Sequence, residues 1–248
     1  MPDQKHMNGL HHEEFKGDKK ELVHFLVPYE KKFIDAILPH VPARIGTAHL
    51  TLMTLVWSSI IVLAGFLARQ DIRWLWLFSA AIFMQYATDM LDGAVGRARN
   101  TGLIKWGFYM DHFLDFIFLS SIVIGYTWLL PPVDWALSLV CLAVCAGFMV
   151  HVLMDFAITN NFKISCSYFG VSEARMVLIA FNVFLIVFGS QLLVAVFPLF
   201  TGMAAAALCA MVYKSQKIYA HLDAIKQGSQ EQKLSYALKE EIYAHSTR

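Results

Sequence analysis

Charge is scarce in this chain. Only 16% of its 248 residues are charged, against 57% hydrophobic, whereas a water-soluble domain carries about 25% charged residues. A soluble globular domain is therefore excluded as the whole answer. The formal net charge of +1 identifies no partner by global electrostatics, and no nucleic-acid partner is expected. Cysteine is sparse too. Cys141, Cys145, Cys166 and Cys209 have neither metal-finger nor secreted-disulfide spacing, and Cys141 and Cys145 share one helix face inside an apolar run, where they read as packing residues. The first 20 residues are polar, so no cleavable signal peptide is expected there. No internal repeat is apparent.

What the chain does have is length in apolar runs. Stretches of 18 or more mostly apolar residues recur, each enough to cross a hydrocarbon core of roughly 30 Å. The expected fold class is an all-α integral membrane protein with six transmembrane helices, near 47–68, 74–95, 106–129, 134–158, 173–190 and 192–213. Residues 1–20 read as a solvated polar tail. Residues 21–46 alternate Leu22, Phe25, Phe33 and Ile37 with Glu30, Lys31, Lys32 and Asp35 around Pro28. That pattern reads as an amphipathic helix in the membrane interface, with packing on the helical domain as the alternative. The domain assignment is 1–20 tail, 21–46 interfacial helix, 47–213 six-span domain and 214–248 a charged, helix-prone cytoplasmic tail. With an even number of spans, 18 of the 20 Lys and Arg fall on the side of the two termini. Arg69 and Arg73 alone fall on the other, so the positive-inside rule puts the termini in the cytoplasm.

The stretch 89–115 breaks the apolar pattern. Asp89 and Asp92 are three apart, Asp111 and Asp115 four apart, so each pair shares a helix face. A turn at Asn100-Thr101-Gly102 would fold the two helices back on each other and aim the four acids at one point. An aspartate at mid-bilayer costs roughly 2.5–3.5 kcal/mol, and four converging near lipid repel one another unless cations neutralise them. One or two divalent ions are the simplest solution. Solvated helix-end acids paired with Arg97, Arg99 and Lys105 would explain one or two of them, but not two same-face pairs on consecutive spans. Gly93 and Gly107 permit close approach of a phosphate to backbone, and Arg97 offers a planar fork for phosphate oxygens.

In order, the residues are Asp89, Asp92-Gly93, Gly96-Arg97, Gly107, Asp111 and Asp115. This series resembles the signature of the CDP-alcohol phosphotransferase family: D-x2-D-G-x2-A-R, then G-x3-D-x3-D. Gly96 stands at the family's alanine. The gap from Arg97 to Gly107 is one residue longer than usual, so Arg99 in a second Ala-Arg pair is the alternative arginine. The resemblance implies that Asp89, Asp92, Asp111 and Asp115 bind two metal ions, Mg2+ or Mn2+. It implies Asp115 as general base, and Gly93, Gly96, Arg97 and Gly107 as the nucleotide site. The reaction implied is attack of an alcohol on a CDP-linked donor with release of CMP, in phospholipid biosynthesis. The donor is either CDP-diacylglycerol or a CDP-alcohol. Membrane lipids as surroundings and a homodimer are also implied.

Lys163 and Arg175, the latter in Ser172-Glu173-Ala174-Arg175, are candidate acceptor-binding residues; interfacial placement is the plain alternative. His112 follows Asp111 but points about 100° away on a helix, which suits packing. His49 and Thr51 open the first span and read as helix-start residues first, nucleotide contacts second. The second functional reading is a cation- or proton-coupled transporter using intramembrane aspartates. Broken spans near the midplane would mark one, whereas these acids gather at one end.

Overall fold

Helix ends in this protein are set by short polar turns, and one of them builds the site. Asn100 adopts the left-handed conformation at φ 48°, which Asn tolerates better than most residues. The Thr101 amide then donates to the Gly96 carbonyl at 3.2 Å and the Asn100 amide to the Arg97 carbonyl at 3.3 Å. This paired arrangement terminates a helix cleanly and returns the chain beside the helix it has just left.

The computed structural model describes residues 26–101, 103–159 and 171–246. Among them are seven α-helices and no strand: α1 (Val27–Ile37), α2 (Thr47–Ala68), α3 (Leu75–Arg99), α4 (Ile104–Thr127), α5 (Trp135–Thr159), α6 (Val171–Phe188) and α7 (Gln191–Ser246). The polar tail 1–20, Lys163 and Cys166 lie outside the described residues. Among the described residues, four segments are long and apolar enough to cross a membrane: Thr47–Ala68, Ile104–Thr127, Pro132–Thr159 and Gln191–Ile225. These mark an integral membrane protein, and large apolar side chains such as Leu63, Leu139, Met154 and Leu199 are exposed on them.

The chain divides into two units, Met1–Leu199 and Phe200–Arg248. In the first, α2 packs on α3 and α4, α3 on α6, and α4 on α5. Ile61, Phe78, Ile82, Ile122 and Leu185 lie in its main core. Helices α2 and α4 approach closely at Gly65 and Gly125. A Cβ placed on Gly65 would lie 2.6 Å from the Gly125 Cα, and one on Gly125 would strike the buried Phe78 ring. Only glycine permits two helix backbones this close. Polar residues add register. The buried Tyr126 hydroxyl donates to Asn182 Oδ1 at 2.8 Å, and Asn182 Nδ2 donates to Ser79 Oγ at 3.0 Å. One amide thereby ties α4, α6 and α3 together, which fixes the axial position of α6.

Helix α1 begins where Pro28 can sit in a first turn without losing a needed amide bond. It makes its polar contact through Glu30, whose Oε1 accepts from the Tyr86 hydroxyl on α3 at 2.7 Å. Ile37, Leu38 and Val41 pack on a second apolar cluster of Leu50, Leu91 and Val95. The second unit is the remainder of α7, and Pro198 lies inside that helix near the boundary. The stretch 214–246, which the sequence marks as helix-prone, continues the same helix. The helix runs on to Ser246, because good helix formers continue where the apolar pattern stops.

Candidate metal centre

Helices α3 and α4 leave the Asn100 turn side by side, and their acids meet. Asp89, Asp92 and Asp111 each offer a carboxylate oxygen, and the three oxygens all lie within 4.8 Å of one another. Each of these side chains is partly buried. Oxygen donors at this density suit a hard divalent cation rather than a softer metal. The cluster could therefore hold a metal, and it joins the α3 pair to one member of the α4 pair across the turn. Asp115 is not one of the three. Its Oδ1 lies 3.6 Å from Nη2 of Arg175, one helical turn further along α4.

Arg175 is the residue that closes the site. It is 5% exposed although it carries a full charge. Its Nη1 donates to Asp89 Oδ2 at 2.9 Å. The guanidinium carbon lies 5.6 Å from the Tyr86 ring centroid and 5.7 Å from that of Phe118, a spacing that favours cation–π attraction. A buried cation needs such partners, and here two acids and two rings supply them. The axial setting of α6 that Asn182 provides puts Arg175, two turns earlier, level with Asp89.

Thr51 reaches the site from α2: its Oγ1 lies 2.8 Å from Asp92 Oδ2 and 3.0 Å from its own-helix carbonyl at Thr47. As a donor to a carboxylate it orients Asp92. Thr51→Val keeps the shape and removes that bond. Loss of such a supporting bond typically costs 10–100-fold in metal affinity, so Mn2+ binding is expected to weaken about tenfold or more with the melting temperature little changed. A Mn2+ titration of both proteins checks it. His49 serves the helix start instead, its Nδ1 accepting from the Gly46 amide at 3.2 Å. His112 bonds through Nδ1 to the Phe108 carbonyl at 2.7 Å and packs on the Phe108 ring.

The two candidate arginines separate clearly. Arg99 is consumed by the loop before α2. Its Nη1 donates to the Ile45 carbonyl at 2.5 Å, and its Nη2 to those of Val41 and Pro42 at 3.0 and 3.1 Å. Arg97 is exposed and folds its guanidinium over Gly93, where an added Cβ would lie 3.2 Å from Nη1. Gly96 faces α2. A Cβ there would lie 3.0 Å from Thr47 Oγ1, so the alanine of the resembling signature would crowd the first residue of that helix. Gly107 has nothing within 4 Å of a built Cβ and opens onto free space. Sequence reasoning missed the ties from Arg99 to the loop, from Tyr86 to Glu30 and from Asn182 to its neighbours. None of them has a spacing signal, since each joins residues more than 50 positions apart.

The class these features define is an all-helical membrane protein with an acid cluster that could hold a metal. The chain belongs to the CDP-alcohol phosphatidyltransferase family, whose model matches residues 41–213. It is thus a transferase of substituted phosphate groups, and the family implies a CDP-linked donor and an alcohol acceptor. The chain has no match among curated proteins or solved structures.

Proposed function

We propose that the protein is a multi-pass membrane enzyme of phospholipid biosynthesis whose site opens to the cytoplasm. It would transfer the phosphate-linked group of CDP-diacylglycerol or a CDP-alcohol to an acceptor alcohol and release CMP. The observation that carries this reading is the convergence of Asp89, Asp92 and Asp111 within 4.8 Å. In this reading α3 and α6 also cross the membrane, making six spans, and α1 lies along the interface. The uneven placement of Lys and Arg supports the cytoplasmic orientation. A homodimer remains the expectation from the family.

The site residues divide the work. Asp89, Asp92, Asp111 and Asp115 would hold two Mg2+ or Mn2+ ions, which when bound neutralise charge on the donor diphosphate. Gly93, Gly96, Arg97 and Gly107 would receive the nucleotide, with Arg97 supplying a charge-assisted fork for phosphate oxygens. The acceptor hydroxyl oxygen forms a new bond to the phosphorus bearing the transferred group. The bond from that phosphorus to the bridging oxygen breaks, and CMP leaves with that oxygen. Asp115 takes the hydroxyl proton. Lys163 and Arg175 would face the acceptor, Lys163 on sequence grounds alone.

Two variants separate these roles. Gly107→Ala adds a methyl where space is open, so the helix should gain about 0.5–1 kcal/mol. If Gly107 receives the nucleotide, donor KM rises at the same time; kinetics beside a thermal melt show both. Arg175→Ala leaves Asp89 and Asp115 without their counter-cation. Breaking a fully buried pair costs about 3–5 kcal/mol, and the partly exposed acids here reduce that to about 3 kcal/mol or less. Acceptor KM should rise while donor KM changes less. An unchanged acceptor KM would remove Arg175 from the acceptor site. The function itself is tested with purified protein, Mn2+ or Mg2+, and a panel of CDP donors and alcohols. CMP should appear with one donor–acceptor pair and stop on chelation, and no release with any pair would refute the proposal.

A further inference from the structure

We propose that Tyr86 is a positioning residue for the transfer reaction, and that Glu30 acts through it, so that α1 helps to set the acceptor side of the site. The inference rests on the acceptor role given to Arg175 above and names what holds that residue in place.

Tyr86 lies three residues before Asp89 on α3, near it on the helix surface, and is 7% exposed. Its two ends meet different partners. The ring takes Arg175, whose guanidinium carbon lies 5.6 Å from its centroid. The hydroxyl donates to Glu30 Oε1 on α1 at 2.7 Å. Arg175 in turn donates from Nη1 to Asp89 Oδ2 at 2.9 Å and holds Nη2 3.6 Å from Asp115 Oδ1. One chain of contacts runs from α1 through α3 to α6, and from there to acids on α3 and α4. Phe118 gives Arg175 a second ring at 5.7 Å, but a phenyl ring has no hydroxyl through which α1 could act.

The bond to Glu30 acts on the ring as well as on its direction. Hydrogen-bonded groups polarise one another in a low dielectric, so a phenol that donates to a carboxylate gains electron density. A more negative ring face attracts a guanidinium more strongly. A hydroxyl anchored on α1 also limits how far the ring can swing, and the guanidinium beside it is limited with it.

Helix α1 is seated to hold this bond. The Glu30 contact ties its first turns to α3. Ile37, Leu38 and Val41, at and beyond its last turn, pack on Leu50, Leu91 and Val95. Arg99 then bonds the loop that follows. The helix is therefore fixed at both ends along the 86–95 stretch of α3, which carries Asp89 and Asp92.

The test uses the full-length protein in detergent, with Glu30→Ala, Glu30→Gln, Tyr86→Phe and the Glu30→Ala, Tyr86→Phe double variant. One readout is steady-state CMP release. The other is the rate at which phenylglyoxal modifies Arg175, followed by peptide mass spectrometry with the exposed Arg73 as internal reference. Glu30→Ala and Tyr86→Phe should each raise acceptor KM about threefold to tenfold, the worth of one polar bond, with donor KM and melting temperature changed less. Arg175 should be modified about threefold faster or more in both, and Arg73 at its wild-type rate. Glu30→Gln should recover most of the loss, because its carboxamide oxygen still accepts. The double variant should match the worse single one, since both changes remove the same bond. Wild-type labelling of Arg175 with wild-type acceptor KM in Tyr86→Phe, or losses that multiply in the double variant, would overturn the proposal. The labelling needs no turnover, so a wild type that releases no CMP with any pair refutes the function proposed above, while the Arg175 rates still decide this inference.

Discussion

Asp111→Asn is expected to lower CMP release by about 10³-fold or more, the several kcal/mol that metal-borne charge stabilisation supplies. Asp111 is the α4 contribution to the three-acid cluster, and neither α3 acid can replace it from across the turn. Asparagine keeps the shape and a carbonyl oxygen but loses the charge. The stability effect should run the other way. Removing one of three mutually repelling carboxylates relieves strain, so without added metal the melting temperature should hold or rise. Turnover lost with stability kept marks a residue held for chemistry. Turnover within a few-fold of wild type would place the cation elsewhere.

Gly65→Ala is expected to destabilise the first unit by about 3 kcal/mol or more, at or beyond the usual range for overpacking. The new methyl would sit 2.6 Å from the Gly125 Cα, and backbone cannot rotate away as a side chain can. The α2–α4 crossing must open, and with it the contact that Phe78 makes on Tyr126 at 5.0 Å. Loss of that packing would loosen the Tyr126–Asn182 bond and hence the seat of Arg175. A thermal melt in detergent, with the fraction eluting as a single species, reads the effect. A melting temperature equal to wild type would mean that the two helices are not held this closely.

The acids were legible before any coordinates because their spacing is a helical property. Intervals of three and four set a face, and the turn at Asn100 sets the partner. Helix positions were legible for the same reason: α2 runs Thr47–Ala68, as hydropathy and its flanking residues predict. The choice between Arg97 and Arg99 was not legible, since both follow alanine and both lie near the turn. The bonds from Arg99 to the carbonyls of Val41, Pro42 and Ile45 favour Arg97, and no pattern announces an arginine as a loop clamp. Thr51 read first as a helix-start residue because its bond to Asp92 spans 41 positions. Arg175 was singled out for an acceptor, yet its contacts are with Asp89 and Asp115. The two roles are compatible if the acceptor binds beside that pair. Hydropathy reports where lipid contact stops, not where a helix does, and α7 runs on through the helix-prone residues beyond 213.

The central claim is that acids from α3 and α4 share a cation. Mn2+ titration of the purified protein, followed by the loss of the free-ion electron paramagnetic resonance signal, tests it most directly. The account predicts saturable uptake by the wild type and its loss in the Asp89→Asn, Asp92→Asn, Asp111→Asn triple variant. Uptake of equal affinity and amount by both proteins would contradict it.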